Sequence, residues 1–447
     1  MEEKVSTARA RADGFYLMLI GAVIFLALSL ILSRTGKTPM HDFRTAYYSG
    51  LSLVVHRDPY NVSDVEKLYA KESPPPATPD RDRMVVTTNI YFPSAFPFTV
   101  ALALAPENLS LTIWALGIMG SFLLSVFLIW KVCADGAPVV IGFLLGFCLA
   151  NSGSLVYFSN PAGFVVSFAI LAALSFAYDK FVPAGIACLA ISLAFKPHDS
   201  GLVWLYFFLA GGLYRKRALQ TLMVIATFSL PALWWVIHIS PHWLQEFSAN
   251  LAAYSGPGAI NDPRGPHGAC LMTNLQTVTS FFWQDQKTYN LISYVVCAPL
   301  LLWWVYLAFR ARASRETTWL AFAPISALSV LPVYHRQYDA KLILLALPAF
   351  VLLWSRSERF RWPALVVTAT AFFLNGDFPW VVLLRTVDHL HLATGPYWQA
   401  TTALLDFPVP LSLLAMGVFY LWVFDRSVRG PQYLRQEAAN AETIAGS

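Results

Sequence analysis

Long apolar runs separated by short polar segments dominate the chain. A helix needs about 20 apolar residues to cross a hydrocarbon core about 30 Å thick, and twelve runs approach that length. The pattern therefore predicts an all-α polytopic membrane protein with about 12 transmembrane helices. The predicted spans are residues 14–32, 110–130, 137–155, 161–177, 181–195, 199–214, 218–238, 289–309, 317–333, 340–354, 362–375 and 403–424.

Basic residues indicate the orientation of these spans, because Lys and Arg in short loops favour the cytoplasm. Alternation from the basic N-terminal segment 1–13 places six later basic clusters on the cytoplasmic side, provided that the apolar segment 91–105 does not cross. That segment has Pro93 and Pro97 near its start and suits an interfacial or re-entrant helix. The six clusters contain Lys131, Lys180, Arg215 to Arg217, Arg310 to Arg315, Arg356 to Arg361 and Arg426 to Arg435.

Residues 14–424 are predicted to form one transmembrane domain, with N-terminal residues 1–13 and the C-terminal tail 425–447 in the cytoplasm. Three long outer loops, 33–109, 239–288 and 376–402, exceed what a simple connection needs, and we expect short interfacial helices in them. All nine histidines fall on this outer side, although His also tends to lie at interfaces. They are His41, His56, His198, His238, His242, His267, His335, His389 and His391.

Composition narrows the classes of function. Hydrophobic residues make up 57% of the chain and charged residues 13%, against about 25% charged in soluble domains. This composition excludes a soluble or nucleic-acid-binding protein, and a net charge of +5 gives no strong field for a polyanion. Five scattered cysteines show neither a disulfide framework nor a zinc spacing.

Asp42 is the first candidate for chemistry. It precedes a predicted short amphipathic helix, 43–55, that would lie on the membrane surface. Asp is a good N-cap residue, so Asp42 could be a helix cap, a catalytic carboxylate, or both.

Two further segments combine cations and carboxylates at predicted outer helix ends. In residues 196–199, Lys196 could bind an anion or could simply be neutralised by Asp199. In residues 334–339, Arg336 could bind phosphate oxygens or pair with Asp339.

A metal site is the weakest signal. Asp388, His389 and His391 could be ligands, but side chains two positions apart do not face each other on a helix and no third ligand is evident. No metal site is therefore predicted.

A series of short motifs follows in order along residues 40–353. The motifs are Asp42-Phe43, Tyr47-Tyr48, Asp58-Pro59-Tyr60, Tyr91-Phe92-Pro93, Pro97, Pro106, Ser159-Asn160, Lys196-Pro197, Tyr334-His335-Arg336 and Asp339. In this order they resemble the GT-C superfamily of glycosyltransferases, specifically glycosyltransferase family 87, the polyprenol-phosphate-mannose-dependent α-mannosyltransferase type. One departure is the segment 159–162, Ser-Asn-Pro-Ala, where the family often has Gly-Gln-x-Asn.

The resemblance implies an enzyme of the plasma (inner) membrane with its active site on the extracytoplasmic face. It would move a hexose, mannose in this family, from polyprenyl phosphate to a lipid-linked or envelope glycan acceptor, with Asp42 as the catalytic base. Because a lipid phosphate leaves as a stable anion, one carboxylate and a few cations suffice, and a single displacement inverts the anomeric centre. Lys196, His335 and Arg336 would bind the donor phosphate. The residues expected to contact substrate are His41, Tyr48, Asn160, His198, Tyr334 and Asp339.

The expected partners are the bilayer, the sugar donor and the acceptor. No cofactor, divalent metal or nucleic acid is expected in addition. Two other classes stay open. A different membrane transferase, such as a glycan polymerase, ligase or acyltransferase, would not consume polyprenyl-phosphate sugar. A secondary transporter would place ionisable residues near the bilayer midplane, whereas here they lie at the ends of the apolar runs.

Overall fold

The structure is a computed structural model that describes residues 2–35, 40–72, 80–264, 272–391 and 398–430. Within these ranges the regular structure is helical apart from one isolated antiparallel bridge, Met272 to Arg336, so the all-α prediction is confirmed. The α-helices are α1 Glu2–Thr35, α2 His41–Val54, α3 Val62–Glu72, α4 Asp80–Thr87, α5 Phe96–Ala103, α6 Glu107–Cys133, α7 Pro138–Ala150, α8 Gly153–Tyr157, α9 Ala162–Tyr178, α10 Val182–Phe195, α11 Pro197–Ala210, α12 Gly212–Ile239, α13 Trp243–Ser255, α14 Gln276–Phe282, α15 Gln286–Arg310, α16 Arg315–Leu328, α17 Leu347–Arg356, α18 Glu358–Leu374, α19 Asp377–His389, α20 Trp398–Asp406 and α21 Pro408–Arg429. Residues 431–447 of the predicted tail lie outside the described residues.

Six helical segments are long and apolar enough to cross a bilayer. A seventh candidate is the pair Glu358–Leu374 and Asp377–Val387, which is bent by 59°. These seven correspond to predicted spans, and they establish a membrane protein with six or seven apolar spans. The six segments are Thr7–Leu32, Glu107–Cys133, Pro138–Tyr157, Gly212–Ile239, Gln286–Arg310 and Pro408–Arg429.

The other five predicted spans are shorter in the structure, so a count of twelve crossings stays a prediction. Four of them are α9, α10, α11 and α16. The fifth is divided between a 3₁₀ helix, Asp339–Ala346, and α17. The longest, α9, has 17 residues and is about 25 Å long. Because α9 and α16 are largely buried, these short helices form the centre of the molecule.

Helices α1 and α7 pack backbone against backbone at glycine. A Cβ atom added to Gly21 would lie 2.1 Å from the carbonyl oxygen of Gly146, and one added to Gly142 would lie 2.0 Å from that of Gly14. Small residues at such spacings allow membrane helices to approach closely without a hydrophobic driving force between them. The first span is therefore held by close packing.

Lys341 is buried in the 3₁₀ helix, where the sequence predicts a span. Its Nζ donates to the carbonyl oxygens of Asn151, at 2.9 Å, and of Asn375, at 2.6 Å. Those residues follow the last residues of α7 and α18, where helical carbonyls lack intrahelical donors and a cation is favourable. Lys341 thus joins two helix ends inside the bundle.

The central helices have two chemically different ends. Asn160 and Lys196 flank the start of α9 and the end of α10. At the other end Arg217 donates to the carbonyl of Phe176, 3.0 Å away, and Arg315 lies over the ring of Tyr178, 4.3 Å from its centroid. Basic residues thus collect at the end opposite the candidate chemistry.

Candidate functional site

Asp42 lies in the first turn of α2. This helix is fixed to the bundle by its buried apolar face and by a backbone hydrogen bond of Met40, the residue before it. Met40 precedes the helix in a left-handed conformation (φ 68°), and its backbone N–H donates to the carbonyl of Tyr157 at 2.9 Å. The helix begins at His41 rather than Phe43, and Met40 is its N-cap, so the interpretation of Asp42 as the cap is wrong. A carboxylate in the first turn is still favoured by the helix dipole.

Asn160 orients the Asp42 carboxylate. Its Oδ1 accepts the backbone N–H of Ala162 at 2.9 Å, which fixes the orientation of the carboxamide. Its Nδ2 then donates to Oδ2 of Asp42 at 2.8 Å and to the hydroxyl of Tyr338 at 3.2 Å. Oδ1 of Asp42 lies 3.8 Å from Nε2 of His41, and its side chain keeps 17% of its surface exposed.

Lys196 pairs with Asp339 across 2.7 Å, and both side chains are largely buried. The second carboxylate oxygen of Asp339 accepts the backbone N–H of Arg336 at 2.9 Å. Two pairings considered from the sequence are therefore wrong. Lys196 does not pair with Asp199, and Arg336 contacts Asp339 through its backbone N–H rather than its side chain. Burial opposes the charged amine, but the Asp339 and Asp199 carboxylates raise the pKa of Lys196.

Asp199 pairs instead with His335, whose Nε2 lies 2.7 Å from Oδ1. Neither side chain is more than 1% exposed. The other ring nitrogen of His335, Nδ1, lies 2.9 Å from the carbonyl oxygen of Val333 and must donate to it. Burial opposes a charged ring, but the Asp199 carboxylate and its hydrogen bond raise the pKa of His335. His335 is thus placed to act through its charge.

Arg336 joins the second outer loop to the site. Its backbone bridges to Met272, its Nη2 donates to the carbonyl of Ile260 at 3.2 Å, and its Nε donates to the hydroxyl of Tyr334. A second backbone contact joins this outer loop to residues 334–339, because the N–H of Thr273 donates to the carbonyl of His335 at 3.0 Å.

Four tyrosine hydroxyls lie close enough to Asp42 for its charge to act on them. Tyr91 donates to the backbone carbonyl of Asp42 at 3.4 Å. Burial is the main cause that raises the pKa of all four phenols, and the Asp42 charge adds to it in each case. A buried Tyr ring offers an apolar face and a hydroxyl, the combination that suits an amphipathic ligand such as a sugar. The four residues are Tyr91, Tyr254, Tyr334 and Tyr338.

The remaining predicted contacts occupy different positions. His198 is close by, with Nε2 3.5 Å from Oδ1 of Asp199 and 45% of its side chain exposed. Tyr48 is fully buried and donates to Glu107 at 2.8 Å, where Arg44 also binds. Tyr48 therefore connects α2 to the start of α6, and it contacts Glu107 rather than the Asp42 carboxylate.

A group of side chains that could bind a metal ion lies away from the metal-ligand candidates considered from the sequence. Among the described side chains, one group of three His, Cys, Asp or Glu residues could share an ion, and it consists of His198, Asp199 and His335. His389 and His391 lie at the end of α19 and beyond it. The side chain of Asp388 lies outside the described residues.

The structure thus brings Asp42, Asn160, Lys196, His335, Arg336 and Asp339 together at one end of the central helices. Sequence reasoning missed Asp199 as the partner of His335 and missed Tyr254, and it named Tyr91 only among the resembling residues and not as part of the site. A sequence signal was present for Asp199, which directly follows His198 and lies three positions after Lys196. No protein-family model, curated protein or solved structure matches the chain, so the site is interpreted from its own geometry.

Proposed function

We propose that the chain is a membrane glycosyltransferase that moves a hexose from a polyprenyl-phosphate carrier to a lipid-linked or glycan acceptor. The observation that carries this proposal is one oriented carboxylate, Asp42, beside cations and phenols at one end of a membrane bundle. The resemblance to glycosyltransferase family 87 adds mannose as the hexose and an envelope glycan as the acceptor.

Asp42 would act as the base. Asn160 holds Oδ2 by a hydrogen bond of 2.8 Å, so the other oxygen is left to take the proton of the acceptor hydroxyl. That oxygen must come within about 3 Å of the hydroxyl for proton transfer. The hydroxyl oxygen then attacks the anomeric carbon from the side opposite the phosphate, which inverts its configuration.

The leaving phosphate would be stabilised by the cations of the same site. Lys196 and Arg336 are both charged at neutral pH, and preorganised charges in a site from which water is excluded stabilise developing negative charge strongly. Lys196 keeps 13% of its side chain exposed, and its ammonium group would turn from Asp339 to meet the phosphate. His335 would contribute its positive charge without direct contact with the phosphate, because its ring is buried against Asp199.

A site on the extracytoplasmic face is part of the proposal. The central helices carry the candidate site at one end and Lys180, Arg217 and Arg315 at the other, and basic ends favour the cytoplasm. Several long apolar spans support attachment to a lipid bilayer, which is also where a polyprenyl carrier is found.

Donor consumption tests the proposal. Membranes with and without the protein are incubated with radiolabelled polyprenyl-phosphate mannose, and envelope lipids and glycans are then analysed by mass spectrometry. We expect label to leave the carrier and an acceptor to gain the mass of one hexose. If the carrier keeps its sugar while an acyl group or a preassembled glycan moves, a different membrane transferase is the correct class.

A further inference from the structure

His198, Asp199 and His335 converge at the start of α11. The two Nε2 atoms lie 3.5 and 2.7 Å from Oδ1 of Asp199, and the three ligand atoms lie within 4.8 Å of one another. Ligands about 2.0 Å from a tetrahedral ion are roughly 3.3 Å apart. Small side-chain rotations therefore suffice to bring all three atoms to bonding distance.

His335 is already oriented as a metal-bound histidine is. Its Nδ1 lies 2.9 Å from the carbonyl oxygen of Val333, and such a second hydrogen bond fixes the ring and leaves Nε2 to face the ion. The ring is fully buried, so the surrounding structure holds this orientation.

Asp199 provides a second, independent indication. Its Oδ2 is buried and has no hydrogen-bond partner, and the side chain is 1% exposed. A buried carboxylate oxygen without a donor is costly. A cation bound between this carboxylate and the two imidazoles would satisfy it.

We propose that His198, Asp199 and His335 form a binding site for a divalent transition-metal ion. Two imidazoles and one carboxylate form a donor set that binds catalytic zinc and, as a facial triad, non-haem iron(II), and zinc is the ion chosen for the test. Three protein ligands leave the fourth position open, and the 45% exposure of His198 indicates where an external ligand enters. The inference departs from the expectation that no divalent metal takes part.

The ion would change the charge of the candidate site. Binding of the ion requires a neutral His335, so the ion would replace the positive charge that His335 contributes without it. The three aspartates of the site then outnumber its two permanent cations, Lys196 and Arg336, before the charge of the ion is counted. An added divalent ion reverses the sign, which suits an anionic ligand such as a phosphate at the open position. This last step rests on the proposed function, whereas the ion site itself does not.

Zinc retention tests the site without any transfer assay. Protein purified without a histidine tag is stripped with a chelator, equilibrated at micromolar free Zn²⁺, freed of excess ion and analysed for bound zinc. We expect about one ion per chain, and less than a tenth of that in His198→Ala. The His198 side chain is 45% exposed, so its removal should leave the fold intact. His238→Ala, an exposed residue in the last turn of α12, is the matched control and should retain zinc fully.

Cobalt reports the geometry of the same site. The native protein loaded with Co²⁺ should show the visible absorption bands of a low-symmetry site, and His198→Ala should lose them. Equal zinc retention by His198→Ala and the native protein, or no retention by the native protein, would overturn the inference. Asp42→Asn should bind zinc normally, so a failure of transfer and a failure of metal binding are separate results.

Discussion

Lys196 Nζ lies 2.7 Å from Asp339 Oδ1, although the two residues are 143 positions apart in the chain. Lys196 follows the last residue of α10, and Asp339 begins the 3₁₀ helix. The amine also lies 5.2 Å from the centroid of the Tyr338 ring. The pair therefore fixes two central elements relative to each other and holds a cation beside the residues that orient Asp42.

The pair allows stability and catalysis to be separated. In Lys196→Met the Asp339 carboxylate stays buried without its cation, and the free energy of unfolding should fall by about 3–5 kcal/mol. The double variant Lys196→Met with Asp339→Asn removes both charges and should recover most of that stability. Thermal unfolding of the purified proteins in detergent measures both effects.

Donor turnover should not recover in the same double variant. If Lys196 stabilises the leaving phosphate, its loss should reduce transfer by about 10²–10³-fold whether or not the fold is restored. A stable double variant with native transfer would assign Lys196 a purely structural role.

Variants of Asn160 test whether Asp42 is the base. Asn160→Ala removes a hydrogen bond to a charged group, worth about 1.5–3 kcal/mol, and transfer should fall by about 10–150-fold. Asn160→Asp places a second carboxylate beside Asp42 and makes Asp42 harder to ionise. The acid limb of the pH–rate profile should therefore move to higher pH. An unshifted profile in Asn160→Asp would argue against Asp42 as the base.

The contact between α1 and α7 should tolerate no side chain. Gly142→Ala puts a methyl group 2.0 Å from the carbonyl oxygen of Gly14, and overpacking of this kind costs about 1–3 kcal/mol. Gly120→Ala in α6 is the control, because a Cβ atom there meets nothing within 4 Å. Thermal unfolding should show a lower midpoint for Gly142→Ala alone, and equal midpoints would contradict the packing.

Sidedness can be tested by labelling intact cells with a membrane-impermeant maleimide. Val333→Cys, exposed beside His335, should react from outside. Lys216→Cys, exposed at the opposite end, should react only after permeabilisation. The unsubstituted protein gives the background from the native cysteines. Reaction of both variants in intact cells, or of Val333→Cys only after permeabilisation, would contradict an extracytoplasmic site.

Much of the fold follows from sequence because apolar length is a local property. The runs 110–130 and 289–309 are long enough to define α6 and α15 without any tertiary information. The central helices are different. Residues 161–177 and 317–333 are apolar because they are buried in protein, and hydropathy alone cannot distinguish that burial from contact with lipid.

In the candidate site, too, the sequence indicates individual residues but not their tertiary contacts. Lys196 could be selected from sequence because a charge beside an apolar run is costly without a partner. Asp42 could be selected because it starts a predicted amphipathic helix, and Arg336 because it can bind phosphate oxygens at a predicted outer helix end. Their partners could not be selected, since the pairs Lys196–Asp339 and His335–Asp199 join segments more than 130 positions apart. Local reasoning instead paired each charge with its nearest neighbour in the chain.

The most direct test of the account is Asp42→Asn. The substitution keeps the size of the side chain and a carbonyl oxygen to which Asn160 can donate its hydrogen bond. An amide, however, cannot take the proton from the hydroxyl of the acceptor sugar. Transfer from a polyprenyl-phosphate sugar, measured on protein whose thermal unfolding and zinc retention match the native protein, should fall by about 10²–10⁴-fold. Transfer at the native rate by a correctly folded Asp42→Asn would contradict the account.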